Sequence, residues 1–250
     1  MKAQVSLTVS ESKRLIARGV AALDIVRARM QRGIIMVSTG TTNAYILEEL
    51  LGERFDKRTY VTGRITPAGK RLDWPKENRP DAVFRDGKLA PELDRFSSVK
   101  VMQPGDLFIK GANALNYERG VAGIWVGGEG GGTIGGVLGY IIARKLRLLI
   151  PVGLEKCIPY PIEAASAAIA AEDEAWGAVT SLFPVHGQIF TEIEALRTLA
   201  GVEAIPCGAG GIAGAEGGTS LLLRGDREAV QKAVKIVEEI HGEPPFYTGP

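Results

Sequence analysis

Apolar residues along this chain alternate between short continuous runs and stripes at helical spacing. Leu15, Ile16, Val20, Leu23, Ile25, Val26 and Met30 recur on one helical face. They predict an opening helix capped by Ser10 or Ser12, with Arg14, Arg18, Arg27 and Arg29 on its solvated side. Ile34 to Val37 is too short for a helix and reads as a buried strand. Tyr45, Ile46, Leu47, Leu50 and Leu51 return to helical spacing, and Gly52 supplies a C-terminal stop. Between Thr59 and Asp106 the pattern is irregular, with strands suggested at Tyr60 to Ile65 and Asp81 to Phe84. A turn at Pro104 then leads into a strand ending near Ile109, a strand Gly123 to Val126, a helix through Arg144 and a strand Leu146 to Val152. Strands alternating with helices predict an α/β fold, an open and mostly parallel sheet flanked by helices.

The composition changes near Pro159-Tyr-Pro-Ile162, after which an alanine-rich linker helix is expected over about 164–175. A strand Trp176 to Pro184, a helix Thr191 to Ala200, strands Val202 to Cys207 and Gly218 to Leu223, and a helix Asp226 to Ile240 follow. That β-α-β-β-α order is the split pattern of a smaller α+β ferredoxin-like domain. Thr191 and Glu194 have capping-box spacing, and Gly208 to Gly217 reads as a loose hairpin or as amides presented to a ligand. The expected division is 1–165 for the α/β domain and 175–250 for the small one.

With 250 residues, 45% hydrophobic and 24% charged, the chain can bury a substantial core. A formal net charge of +1 gives no field for nucleic acid or an anionic membrane. Cys157 and Cys207 are too few and too far apart for a metal framework, so neither metal nor cofactor is expected, and Cys157 reads as a buried, inert thiol. No apolar leader is evident, and the apolar stretch Ile134 to Leu154 is broken by Arg144, Lys145 and Arg147. The expected location is the cytoplasm. The loop 67–80, carrying Lys70, Arg71, Asp73 and Lys76 with Arg64 just before it, reads as a lid over an anion or as a solvated connection.

Candidate chemistry sits where strands end. Ser38, Thr39, Gly40, Thr41 and Thr42 join a strand to a helix, so free N–H groups and the helix dipole favour a phosphate or carboxylate there. Capping by Ser38 or Thr42 is the bland alternative. Lys110, Asn113 and Asn116 lie at a second strand end, and Gly127 to Gly136, including Glu129, Gly130, Gly131, Gly132 and Thr133, form a second glycine loop before a helix. Such ends converge on one crevice in open parallel sheets. His186, which could face the crevice, and His241 read as structural, and Glu155 and Lys156, after the strand Leu146 to Val152, are weaker site candidates.

These segments give the chain a likeness. It resembles ribose-5-phosphate isomerase A and the wider isomerase, glucosamine-phosphate deaminase and CoA-transferase superfamily over most of its length. Ser38-Thr-Gly-Thr-Thr42 is similar to the family's Gly-Thr-Gly-Ser-Thr phosphate loop. Ile109-Lys-Gly-Ala-Asn-Ala-Leu-Asn116 is similar to its Ile-Asp-Gly-Ala-Asp-Glu-Val-Asp strand end. Glu129-Gly-Gly-Gly-Thr-Ile134 is similar to the lysine and polyglycine loop, and Pro159-Tyr-Pro-Ile-Glu-Ala164 to the segment before the inserted α+β domain. The resemblance implies phosphate binding and a homodimer or homotetramer. Lys110 and Asn113 stand where the family has catalytic aspartates, Glu129 stands at the loop lysine, and no carboxylate lies near Gly135 to Val137, where the general base is expected.

Two readings follow. In one, an enzyme acts on a phosphorylated metabolite, with Lys110 stabilising an oxyanion or forming a Schiff base, Asn113 orienting a hydroxyl and Glu129 as general acid or base. A Lys110 to Glu129 salt bridge is the structural alternative. In the other, a non-catalytic sensor or assembly protein keeps a cradle for sugar phosphate, nucleotide or CoA without the chemistry. CoA transfer through Glu129 ranks last.

Overall fold

The computed structural model describes residues 1–68 and 72–248. In chain order these form β1 (Lys2–Leu7), α1 (Val9–Ala22), α2 (Asp24–Gln31), β2 (Ile34–Val37) and α3 (Thr41–Leu51), then β3 (Ala82–Arg85), β4 (Lys88–Leu89), α4 (Arg95–Val101), β5 (Leu107–Ile109) and β6 (Ala114–Asn116). The chain continues through β7 (Val121–Val126), α5 (Gly132–Ala143), β8 (Arg147–Pro151), α6 (Ile162–Ala170), β9 (Ser181–Val185) and β10 (Gln188–Phe190), and ends with α7 (Glu192–Ala200), β11 (Glu203–Ala209), β12 (Thr219–Arg224) and α8 (Arg227–Glu238). Two compact units emerge, neither continuous in sequence: residues 1–27, 39–80 and 190–250, and residues 28–38 and 81–189.

The second unit holds a six-stranded sheet in the order β10-β8-β5-β2-β3-β4 and a three-stranded sheet β6-β7-β9. The expectation of an α/β fold holds, but the large sheet is mixed rather than mostly parallel. β2, β5 and β8 run parallel, while β3 pairs antiparallel to both β2 and β4. The parallel strands are continuous apolar runs because both faces are covered: Ile34 to Val37 and Leu107 to Ile109 are buried throughout. One core joins Met36, Phe108, Leu115, Ile124, Val137 and Ile150. The strand expected over Trp176 to Pro184 is the shorter β9, paired antiparallel with β7; Leu182 packs with Ile162 of α6 and Val121 of β7, and this local packing claims it.

The first unit is built on an antiparallel sheet β1-β12-β11. Its third strand comes from the N-terminus, through pairing of Lys2 to Leu7 with Arg224 to Thr219, and not from residues 176–184 as the ferredoxin-like order requires. Six alternating residues carry too weak a period to mark β1 without its partner. Pro206 is tolerated because β11 is an edge strand. The hairpin reading of the glycine-rich linker agrees with the antiparallel β11–β12 pairing, and the Thr191–Glu194 capping box is formed. α1 begins two to four residues earlier than expected, capped by Thr8 in a reciprocal box with Glu11 rather than by Ser10 or Ser12. Residues 57–60 form a 3-10 turn, and no strand follows where Tyr60 to Ile65 predicted one.

Arg14 overturns the solvated face expected of α1. It is 1% exposed, because α3 and α7 both pack on this helix. Its guanidinium meets Glu48 of α3, Glu49 at 2.7 Å and Glu243 at 2.9 Å, and lies 4.7 Å from the Tyr45 ring centre. Lys57 approaches the same ring at 4.6 Å. Burial drives the Tyr45 phenol up to about 12. Of the loop read as a lid, Lys70 and Arg71 lie outside the described residues. Trp74 stacks on Tyr247 with ring centres 6.2 Å apart, beneath the Arg64 guanidinium at 4.4 Å. Among the described residues, no helix is long and apolar enough to cross a membrane.

Candidate functional site

The parallel ladder sets the position of Lys110. Val37 pairs with Ile109 and Ile109 with Leu149, and the ladder runs one residue further on each side. Ser38 N–H donates to the Ile109 carbonyl at 2.9 Å, and Lys110 N–H donates to the Leu149 carbonyl at 3.0 Å. Lys110 is therefore the first residue beyond the carboxyl end of β5, alongside the last residues of β8. Ligands gather at the carboxyl ends of parallel strands, and β2, β5 and β8 are the parallel part of this mixed sheet.

Cations collect there. Lys110 Nζ donates to the carbonyl of Gly111 at 3.2 Å, and Lys156 Nζ to the next carbonyl, that of Ala112, at 2.7 Å. Two ammonium groups thus sit on consecutive peptides. Burial pulls the Lys110 ammonium down to about 8, with further lowering from Lys156 and then Arg95. Arg95 is itself paired with Asp81, and the alternative Lys110 to Glu129 salt bridge does not form among the described residues.

Arg95, the first residue of α4, is held rigidly. Its backbone N–H and Nε both donate to Asp81 Oδ2, at 3.0 and 2.7 Å. Its Nη1 donates to Thr133 Oγ1 at 3.0 Å. The pair ties α4 and the start of β3 to the N-terminus of α5. Thr133 is thus joined to the cation cluster, though its hydroxyl oxygen already accepts a hydrogen bond.

The glycine loop before α5 needs glycine for its backbone. Gly130, Gly131 and Gly132 all have positive φ, at 65°, 82° and 57°, and a Cβ on any of them would touch nothing within 4 Å. The loop therefore offers open backbone on that side. Gly135 is different, because a Cβ there would lie 2.2 Å from the Gly130 carbonyl, so the helix packs directly on the loop. Glu129 is exposed in this loop and is free of ion pairs among the described residues. Asn113, given the role of orienting a hydroxyl, uses its side-chain oxygen to accept the Trp125 N–H at 3.0 Å, closing the end of the β6–β7 pair.

Of the first glycine loop, Ser38 belongs to the second unit, while Thr39, Gly40, Thr41 and Thr42 belong to the first. Ser38 is 0% exposed, Thr39 8% and Thr42 3%; Gly40 and Thr41 are partly accessible. Thr39 Oγ1 shares a hydrogen bond of 2.9 Å with Thr62, and Gly40 N–H donates to the Tyr60 carbonyl at 2.9 Å. Those groups are engaged within the fold. Neither Ser38 nor Thr42 caps α3, since the N-cap is Gly40 and no side chain bonds there.

Comparison with family models, with curated proteins and with solved structures finds no match to this chain. The site is thus read from its own residues.

Sequence reasoning missed Arg95 and Asp81 and gave Lys156 little weight. A local signal existed for Arg95: Asp94 and Ser97 have capping spacing, and Asp94 does accept the Phe96 and Ser97 amides. The Asp81 pairing spans 14 residues and has no local signature. Cys157 is exposed, not buried, because it follows a single 3-10 turn, Leu154–Lys156, at the surface. Among the described residues, no group of three or more His, Cys, Asp or Glu is arranged to hold a metal.

Proposed function

We propose that this protein binds a phosphorylated or otherwise anionic small metabolite at the carboxyl ends of β5 and β8, as a relative of the ribose-5-phosphate isomerase A superfamily whose catalytic carboxylates have been replaced. The observation carrying this reading is the meeting of the Lys110 and Lys156 ammonium groups on consecutive carbonyls, with Arg95, itself paired with Asp81 and bound to Thr133 at the start of α5, also acting on Lys110. An anion lowers the repulsion between the two ammonium groups and gains hydrogen bonds from them. In the catalytic form, Lys110 stabilises developing negative charge and Glu129 moves the proton. The non-catalytic sensor is favoured by one specific observation, the commitment of the Asn113 oxygen to the Trp125 amide.

The same reading takes α7-β11-β12-α8 as the ferredoxin-like portion, with β1 replacing its missing strand, and places the protein in the cytoplasm as a homodimer or homotetramer. Exposed Tyr140 and Ile142 on α5 support self-association.

Melting curves in inorganic phosphate, sugar phosphates, nucleotides and CoA test the proposal. A true ligand at one hundred times its Kd stabilises by about 2.7 kcal/mol, and Lys110→Gln removes that gain. Proton NMR of the same mixtures then separates turnover from binding alone, with Glu129→Gln as the control for the base. Unchanged melting in every compound sinks the anion site.

A further inference from the structure

We propose that the first unit carries a groove for peptides in which a carboxylate side chain precedes a pair of aromatic residues, and that residues 242–248 of this chain are its resident, displaceable occupant. Every part of the groove belongs to the first unit, so it is independent of the function proposed above. The seat for the carboxylate is built far from the tail in sequence, by α1, the chain after α3 and the 3-10 turn that follows. Arg14 donates from Nε and Nη2 to the two oxygens of Glu243, at 2.9 and 3.0 Å, the paired geometry that fits a carboxylate. Arg54 reaches the same group at 3.1 Å and Lys57 at 3.8 Å. These cations also meet Glu48 and Glu49. Two negative charges then face three positive ones, and Glu243 brings the third.

The aromatic residues have seats of their own. The Phe246 ring centre lies 6.2 Å from that of Tyr45, a fully buried residue of α3. Tyr247 stacks on Trp74, and its hydroxyl accepts the Asp73 N–H at 3.0 Å. Between these anchors Pro244 and Pro245 are exposed, and neither has an N–H to give. The segment leaves α8 through Gly242, at φ 81°, and forms neither helix nor strand. Glu243, Phe246 and Tyr247 hold it by their side chains, as anchors hold a bound peptide. Those contacts do not require the covalent link to α8, so a separate peptide of the same pattern makes them equally well.

The test uses the full-length protein and a fluorescently labelled peptide of residues 241–248. The tethered segment competes at an effective concentration on the order of millimolar, so the natural protein should bind the peptide weakly. Glu243→Gln combined with Phe246→Ala loosens the resident and leaves Arg14, Arg54, Lys57, Tyr45 and Trp74 in place. That variant should bind the peptide about tenfold or more tightly than the natural protein, read by fluorescence anisotropy. A peptide carrying Glu243→Gln should lose the binding. A folded variant that binds no better than the natural protein, or that takes both peptides equally, overturns the groove. Should the variant not fold, amide hydrogen exchange of the natural protein decides. The Gly242 amide, which donates to Glu11 at 2.9 Å, should exchange faster than the amides of α1 and α3, and faster still as salt screens the seat. Exchange in step with those helices makes the segment part of the core and overturns the proposal.

Discussion

Lys110 carries a cost in the fold. Its ammonium is drawn down to about 8 by burial, aided by Lys156 and Arg95. Below pH 8 both the folded and unfolded chains hold this proton, so the desolvation penalty is complete at pH 7. Between about 8 and 10.5 the unfolded chain alone retains it, and stability from this group rises with pH. Lys110→Met should therefore be more stable than the natural protein by about 1–3 kcal/mol at pH 7. The gain should shrink towards zero near pH 10.5. Urea unfolding of both proteins at pH 7 and 10 measures it, and a destabilised variant at pH 7 would show that Lys110 serves the fold. The sequence placed Lys110 at a strand end from polarity alone. It did not disclose the two neighbouring cations, because Arg95 and Lys156 reach it only through tertiary packing.

At the scale of elements, the two glycine loops differ in what glycine does. Gly132 combines φ 57° with ψ −145°, a region that a side chain enters only under strain. Gly40 has extended backbone and ordinary spacing, the nearest atom to a Cβ being Asn43 Nδ2 at 3.9 Å. Gly132→Ala should cost about 1–3 kcal/mol, whereas Gly40→Ala should stay within about 0.5 kcal/mol. Chemical denaturation of the two variants checks this contrast, and equal costs would remove it. Elements with strong local periods were legible: α3 with its Gly52 cap, α5, β2 and the capping box of α7. β1 was not, since its stability is lent by β12, and its six residues bury only Leu7 fully.

Across the whole molecule, the chain leaves and re-enters each compact unit, so that the first is assembled from three segments. Arg14 shows how such segments are fastened: residues 14 and 243 are 229 apart in sequence and 2.9 Å apart at their charged atoms. Glu243 is also reached by Arg54 at 3.1 Å, and the Gly242 amide donates to Glu11 at 2.9 Å, which binds the C-terminal segment to α1. Arg14→Met leaves Glu48 and Glu243 buried beside each other with less positive charge, and should destabilise by about 3–5 kcal/mol. Thermal and urea unfolding test it, with Arg18→Met, partly exposed and paired with Glu239, as a control expected to stay within about 1 kcal/mol. By itself the sequence determined the α/β class, most strands and helices, and the strand ends where polar chemistry collects, because hydrophobic period and turn residues act over a few positions. Only the tertiary structure decided which distant strands pair, that Arg14 lies inside, and that Arg95 and Lys156 join Lys110. Those outcomes depend on contacts between residues whose separation along the chain erases any local pattern.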